Sequence, residues 1–280
     1  LEQTELEEWR TRALSSVTAK VRLDSLLAER GLFESRTRAA ASVMAGEVLI
    51  GPDRRRAAKP GQMVETDLLV SVADVKRFVS RGGIKLSNAL DLFEINCEGK
   101  RVLDAGASTG GFTDCVLQRG AEHVIAVDVA YGELAWSLRD DARVTVIERT
   151  NIRELRVGSI AYRPNLVVCD LSFIGLAKVL PALLDLVDKR FDLCALVKPQ
   201  FEVGRARVGK GGVVRDPNLR REALLNVGEF VVEKGYSVLG YASSGLPGPK
   251  GNCESFIHVA EAERSPVILD LQEAVKRAEP

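Results

Sequence analysis

The stretch Val102-Leu103-Asp104-Ala105-Gly106-Ala107-Ser108-Thr109-Gly110-Gly111-Phe112-Thr113 decides the fold. An apolar run ends in an acid, passes through a glycine-rich turn, and enters a helical pattern over Thr113–Arg119. A buried strand that feeds a helix through such a turn is the first unit of an open α/β sheet. Its loop lies at the carboxyl edge, where these sheets bind ligands, and glycine lets the backbone come close to one.

Downstream the pattern repeats. Strands are expected at Val124–Asp128, Val144–Glu148, Leu166–Asp170 and Leu193–Lys198, and two more at Tyr236–Tyr241 and Ser255–Val259. Helical stretches separate them at Glu133–Arg139, Leu176–Leu186 and Asn218–Lys234, with Pro181 expected to kink the second or mark its start. This alternation predicts an α/β fold with a doubly wound, mostly parallel, seven-stranded Rossmann-like sheet.

A dinucleotide loop would read GxGxxG, but here Ala107-Ser108-Thr109 separate Gly106 from Gly110-Gly111. Asp104 would also repel a pyrophosphate. An acid there suits a ligand with a cationic amino group, and S-adenosylmethionine meets that demand. The expected cofactor residues are Asp104, Gly106, Ser108, Thr109, Gly110, Gly111 and Phe112, with Asp170 from the fourth strand. Asp128, 24 residues after Asp104, is placed to accept both ribose hydroxyls. Asn151 either reaches the adenine or simply forms a turn.

The same edge gathers candidate catalytic groups. Asp170 ends the fourth strand, Lys198 ends the fifth, Glu254 stands at the mouth of the last, and Lys85 precedes the first. Methylating a ribose hydroxyl requires removing a proton from a weak acid. A lysine beside another cation can act as base, and carboxylates orient lysines and hold their charged forms. Lys198 is expected to handle the proton, Lys85 and Asp170 to set its charge, and Glu254 to position the set. Base N-methylation would call for an Asn/Asp-Pro-Pro-aromatic turn where this chain reads Asp170-Leu171-Ser172-Phe173. Cytosine C5 chemistry would need a nucleophilic cysteine, which Cys169 and Cys194, inside strands, do not supply.

Ahead of the sheet, residues 20–78 read as a small α+β domain. A helix is expected over Arg22–Arg30 with Gly31 as its stop, and a second over Arg36–Ala45 with Ser35 as N-cap and Gly46 as stop. A strand at Val48–Ile50, a turn-rich loop to Gly61 and a strand at Asp67–Val72 follow. Residues 20–80 hold 11 basic and 8 acidic side chains. Arg36 and Arg38 oppose the dipole at the start of their helix, a cost that an anionic ligand would offset. Residues 1–19 are taken as an extension and 79–85 as a linker with an irregular turn at Gly82-Gly83, leaving 86–280 as the catalytic domain.

Lysine plus arginine equals aspartate plus glutamate at 39 each, so the total charge argues for no nucleic acid; local placement must. The five cysteines form no CxxC pair and only two histidines are present, which disfavours a metal site and suggests a reducing compartment. Apolar runs are broken well before a membrane span and the first residues carry no signal-peptide pattern, so the expectation is a cytoplasmic protein without a membrane partner.

Two resemblances sharpen this. Arg22-Leu-Asp-x-Leu-Leu-x-x-Arg-Gly-Leu, Ser35-Arg-x-Arg-Ala and Gly46-Glu-Val-Leu-Ile resemble an S4 RNA-binding domain, which implies contact with structured RNA through the paired helices. Lys20, Arg22, Arg36, Arg38 and Arg81 are the candidates for that contact. Residues 20–278 resemble the TlyA family, haemolysin-named ribosomal RNA 2′-O-methyltransferases. The likeness runs in order through Val79-Ser-Arg-Gly, the 103–113 loop, Tyr131-Gly-x-Leu-Ala-Trp-Ser-Leu-Arg, Glu148-Arg-Thr-Asn, Asp170-Leu-Ser-Phe-Ile, Val197-Lys-Pro-Gln-Phe-Glu-Val-Gly and Leu246-Pro-Gly-Pro-x-Gly-Asn. It implies a Lys-Asp-Lys-Glu set at Lys85, Asp170, Lys198 and Glu254, and ribosomal RNA cytidine as substrate. The rival classes are a non-catalytic RNA-binding or ribosome-assembly factor and a membrane-lytic protein. The second finds neither a span nor a strong basic amphipathic helix. The residue pattern fixes no oligomeric state.

Overall fold

A computed structural model describes residues 20–44, 46–72 and 77–279. The expected 1–19 extension lies outside them. The chain divides between Lys76 and Arg77 into two compact units.

In the first unit Lys20–Arg22 (β1) is a strand, not the start of a helix, and it pairs antiparallel with Met63–Glu65 (β4). The helix begins at Leu23 and runs to Glu29. The early start predicted at Arg22 fails because the first helical N–H groups are claimed by the loop: Leu23 donates to the Gln62 carbonyl and Asp24 to that of Pro60. The second helix, Arg36–Met44, is capped by Ser35 as expected, its Oγ accepting from the Arg38 N–H at 3.2 Å. Val48–Ile50 (β2) is the centre of a small antiparallel sheet, between Arg55–Arg56 (β3) and Val70–Val72 (β5). So the loop expected over 51–61 contains a short edge strand, and the expected 67–72 strand narrows to its last three residues. Leu23, Leu26, Leu27, Ala39, Val43, Val48 and Ile50 close one core.

The second unit is built on a seven-stranded sheet ordered β11-β12-β10-β9-β6-β7-β8. Its strands are Arg101–Ala105 (β6), His123–Val127 (β7), Val144–Ile147 (β8), Leu166–Cys169 (β9), Asp192–Val197 (β10), Ser237–Ser243 (β11) and Ser255–Ala260 (β12). Only β12 runs against its neighbours β10 and β11; β6 to β10 are parallel. Alternation along the strands fills both faces. Leu103, Ala105, Val167, Leu193 and Ala195 point into one core, and Val102, Leu166, Val168, Cys194 and Leu196 into the other. The chain leaves β6 towards β7 on one side and returns as β9 on the other. This reversal opens a crevice at the carboxyl ends of β6 and β9.

Pro181 marks a start rather than a kink: a short turn over Leu176–Lys178 precedes the helix Leu180–Leu186, with the proline in its first turn. The expected 79–85 linker is largely the beginning of the helix Arg81–Leu92, capped by Ser80, whose Oγ accepts from the Gly82 N–H. Gly83 serves close packing there, since a Cβ on it would lie 2.3 Å from the Phe78 ring. The glycine pair is therefore a helix–aromatic contact, not a turn.

Candidate active site

The loop after β6 is shaped by one close approach. Gly106 has φ +89, and a Cβ on it would lie 2.5 Å from the Asp170 carbonyl oxygen after β9. No other residue fits between these two strand ends. Ser108, at φ +46, carries the turn onward, and the helix Gly111–Gln118 then begins behind Gly110.

A cavity of about 450 Å3 opens beside this loop. Gly106, Ser108, Asp128, Asn151 and Asp170 line it, with apolar walls from Val127, Ile152 and Leu171. Asp128 is fixed by the backbone: Oδ2 accepts from the Ser108 N–H at 2.7 Å and Oδ1 from the Ala130 N–H at 2.8 Å. Each carboxylate oxygen keeps a further lone pair for a hydroxyl. Asn151 forms the turn that the second reading expects. It lines the cavity, and its Oδ1 caps the turn Ile152–Glu154 by accepting from the Arg153 N–H at 3.1 Å.

Asp104 departs from expectation. The strand continues through it to Ala105, and its side chain is wholly buried beneath the loop rather than on the cavity wall. The Thr113 hydroxyl donates to Oδ2 at 2.6 Å, and Oδ1 has no partner among the described residues. Burial pushes its carboxyl up to about 7, aided by the nearby charges of Asp170 and Asp128 and opposed by the Thr113 hydrogen bond. A buried, half-satisfied carboxyl behind the loop suits a ligand that brings a positive charge. That group, the Asp128 carboxylate and the apolar walls together fit S-adenosylmethionine.

A second cavity, about 270 Å3, shares Gly106, Ser108, Asp170 and Ser172 with the first. Arg81, Lys85, Thr109, Gly111, Phe112, Lys198 and Glu254 also line it. All four expected catalytic groups meet here, arranged as two ion pairs. Lys85 Nζ lies 2.5 Å from Glu254 Oε2, both nearly buried, and Lys198 Nζ lies 2.5 Å from Asp170 Oδ1. Lys198 also donates to the Ser172 Oγ at 3.1 Å. Gly110 lines neither of these two cavities, and Phe112 is mostly core, its ring 5.9 Å from that of Phe256. Phe173 stands 90% exposed at the rim of the larger cavity with φ +68, its ring 5.5 Å from that of Phe201.

Sequence reasoning missed Thr113, Ser172 and Glu133, whose Oε2 accepts from the Ser108 hydroxyl at 3.1 Å. The first two stand inside quoted motifs, and an uncapped hydroxyl beside a candidate acid or lysine was the available signal. The candidate RNA contacts divide. In the first unit Arg22 and Arg36 both engage the buried Asp24, at 2.7 and 3.3 Å, whereas Lys20 and Arg38 are exposed without an ion pair among the described residues. In the second unit Arg81 is exposed on the wall of the smaller cavity.

Methyl transfer from a sulfonium calls for a nucleoside cavity that opens onto proton-handling side chains. On this sheet the combination defines an S-adenosylmethionine-dependent methyltransferase, and residues 78–260 match the FtsJ-like methyltransferase family. The chain is 50% identical over 262 residues to the 16S/23S rRNA (cytidine-2′-O)-methyltransferase TlyA of Mycobacterium tuberculosis, covering 92% of this chain and 97% of that one. It is 37% identical to Hemolysin A of Brachyspira hyodysenteriae, covering 85% of this chain and 99% of the relative. A solved hemolysin-named structure from Streptococcus thermophilus superposes with a TM-score of 0.69 at 38% identity, over 94% of this chain and 96% of that one. The chain belongs to the TlyA family.

Proposed function

We propose that this enzyme transfers the methyl group of S-adenosylmethionine to the 2′-hydroxyl of a cytidine in ribosomal RNA. The observation that carries the reading is the joining of the two cavities at Gly106 and Asp170, with both lysine–carboxylate pairs lining the smaller one. Asp128 would hold the ribose of the cofactor and the buried Asp104 would favour its cationic amino group, and the bound cofactor would supply an electrophilic methyl on a sulfonium. Lys198 takes the hydroxyl proton as the oxygen gains the methyl and the methyl–sulfur bond breaks, leaving S-adenosylhomocysteine. Asp170 and Ser172 Oγ hold the ammonium that results. Lys85 and Glu254 form a fixed pair that positions the ribose. Exposed Phe173 offers a stacking face to an unstacked base, and Arg81 a charge to the strand.

The first unit acts in this reading as an S4-like RNA-binding domain, with Lys20 and Arg38 as cations unpaired among the described residues and Arg22 and Arg36 shared with Asp24. No helix among the described residues is long and apolar enough to cross a membrane, in keeping with a cytoplasmic enzyme working on ribosomal subunits. The test is to map 2′-O-methylation in ribosomal RNA from cells with the gene, without it, and with Lys198→Ala. A cytidine methylated only with the wild-type gene supports the reading. Identical maps in all three reject it.

A further inference from the structure

Next to the loop that carries Glu254 the chain builds a basic turn whose cations make no ion pair among the described residues. Residues Gly209–Val214 fold back on themselves, the Gly209 N–H and Val213 carbonyl lying 3.2 Å apart. Asn252, nearly fully buried, fastens this turn to the loop that carries Glu254. Its Nδ2 donates to the Gly212 carbonyl at 2.8 Å and its Oδ1 accepts from the Val214 N–H at 2.9 Å.

Three cations lie on the two segments that this clasp joins. Lys250 Nζ lies 3.7 Å from where a Cβ on Gly212 would stand, and Arg215 Nη1 lies 3.8 Å from the equivalent point on Gly209. Lys210 opens the short turn between them. All three are exposed, and none makes an ion pair among the described residues. Neighbouring arginines differ: Arg207 is paired with Glu222 and Arg220 with Glu279, each at 2.6 Å. Asp216, the adjacent acid, is spent as a helix cap, accepting from the Asn218 N–H at 2.9 Å. In a chain of zero net charge, three unpaired like charges on two segments fastened by a buried amide make a local basic patch that favours a bound anion. The anion belongs to the substrate, because Pro249, next to Lys250, lines the smaller cavity together with Glu254.

We propose that Lys210, Arg215 and Lys250 grip phosphodiester groups of the RNA strand beside the nucleotide that enters the cavity. This rests on the reading of the substrate as RNA. Phosphate contacts of this kind position a strand without reading its bases, and each one releases counterions.

The experiment measures single-turnover methyl transfer against the concentration of unmethylated ribosomal subunits, at several salt concentrations. The triple variant Lys210→Gln, Arg215→Gln, Lys250→Gln should need at least about 10-fold more subunits for half-saturation. Its dependence on log salt should be shallower by about two, at about 0.7 per lost single-strand phosphate contact. Calorimetric affinity for S-adenosylhomocysteine should hold, which also reports folding. The charge-keeping set Lys210→Arg, Arg215→Lys, Lys250→Arg should retain the wild-type slope. If the wild type transfers methyl and the glutamine variant keeps its slope, the proposal falls. If the patch is required instead for binding phosphatidylserine vesicles while the RNA slope stays put, it falls in favour of a lipid surface. If the wild type methylates neither subunit, the substrate reading fails first and takes this proposal with it.

Discussion

Asp104 shows how one buried side chain links cofactor binding to pH. Its carboxyl is raised to about 7 by burial, then by the charges of Asp170 and Asp128, against the hydrogen bond from Thr113. A folded value above the unfolded one, near 3.9, gives stability that is fully present below that lower value. This stability is lost as pH rises through about 7, by at most about 4 kcal/mol. The ionised form is also the one that favours a cationic ligand. S-adenosylhomocysteine affinity, measured by calorimetry, should therefore rise between pH 6 and pH 8 in the wild type. Asp104→Asn should flatten that profile and lower the affinity at pH 8; a variant profile that still climbs would detach Asp104 from the cofactor. The two lysines should separate in a different assay. Lys85→Ala leaves Glu254 buried and unpaired, which costs about 3–5 kcal/mol and lowers the melting temperature. Lys198→Ala leaves Asp170, which is partly exposed beside an open cavity, and should fold and bind cofactor nearly as the parent does. Its methyl transfer should nevertheless fall by at least ~100-fold, and Lys198→Arg should not restore it because guanidinium does not deprotonate. Most of the wild-type rate surviving in Lys198→Ala would remove it from the proton's path.

The elements that the sequence reveals most clearly are those whose pattern has one physical cause. The strands β6, β7, β9 and β10 are buried on both faces, so they read as continuous apolar runs, and their ends place Asp128, Asp170 and Lys198 at the cavities. Where a signal has two causes the reading fails. Gly82-Gly83 suggests a turn, yet in the helix Arg81–Leu92 the missing Cβ makes room for Phe78. Lys20–Arg22 carries no alternation long enough to reveal a strand, because its pairing partner Met63–Glu65 lies far along the chain. For the same reason Asp24 is not legible as the anchor of Arg36, which lies in the next helix; two charges adjacent in space but apart in sequence leave no periodic trace. That pairing refines what the second helix should do. Arg36 is already partly neutralised at 3.3 Å from Asp24, and Arg38 makes no ion pair among the described residues. Arg38→Ala should flatten the salt dependence of RNA binding by about one in log–log slope, and Arg36→Ala by clearly less. Equal slopes for both variants would mean that the Asp24 pair opens on binding.

At the scale of the whole molecule the site has to be held by something other than itself. The carboxyl edge of the sheet spends stability on buried charge, at Asp104 and in the Lys85–Glu254 pair. The opposite edge supplies a clamp built from residues that line neither cavity. Asp192 opens β10 and is bound by His258 of β12 at 3.1 Å, by Arg264 at 3.0 Å and by Lys100, just before β6, at 3.2 Å. Those partners tie the antiparallel half of the sheet to the parallel half, across the strands whose far ends carry Lys198 and Glu254. Burial pushes the Asp192 carboxyl upward, but the His258 hydrogen bond and the charges of Lys100, His258 and Arg264 outweigh it and hold the group at about 2. A folded value depressed below an unfolded one near 3.9 contributes stability above that range and loses it as pH falls towards 2, by about 2–3 kcal/mol. Asp192→Asn should therefore lower stability at pH 7 by about that amount in urea unfolding, and the difference from wild type should shrink as the pH is taken from 5 towards 2. Because the clamp lies at the far ends of the strands, S-adenosylhomocysteine affinity at pH 7 should not move. A variant with unchanged stability, or one whose deficit persists unaltered at pH 2, would show that the sheet is held at this edge by packing alone.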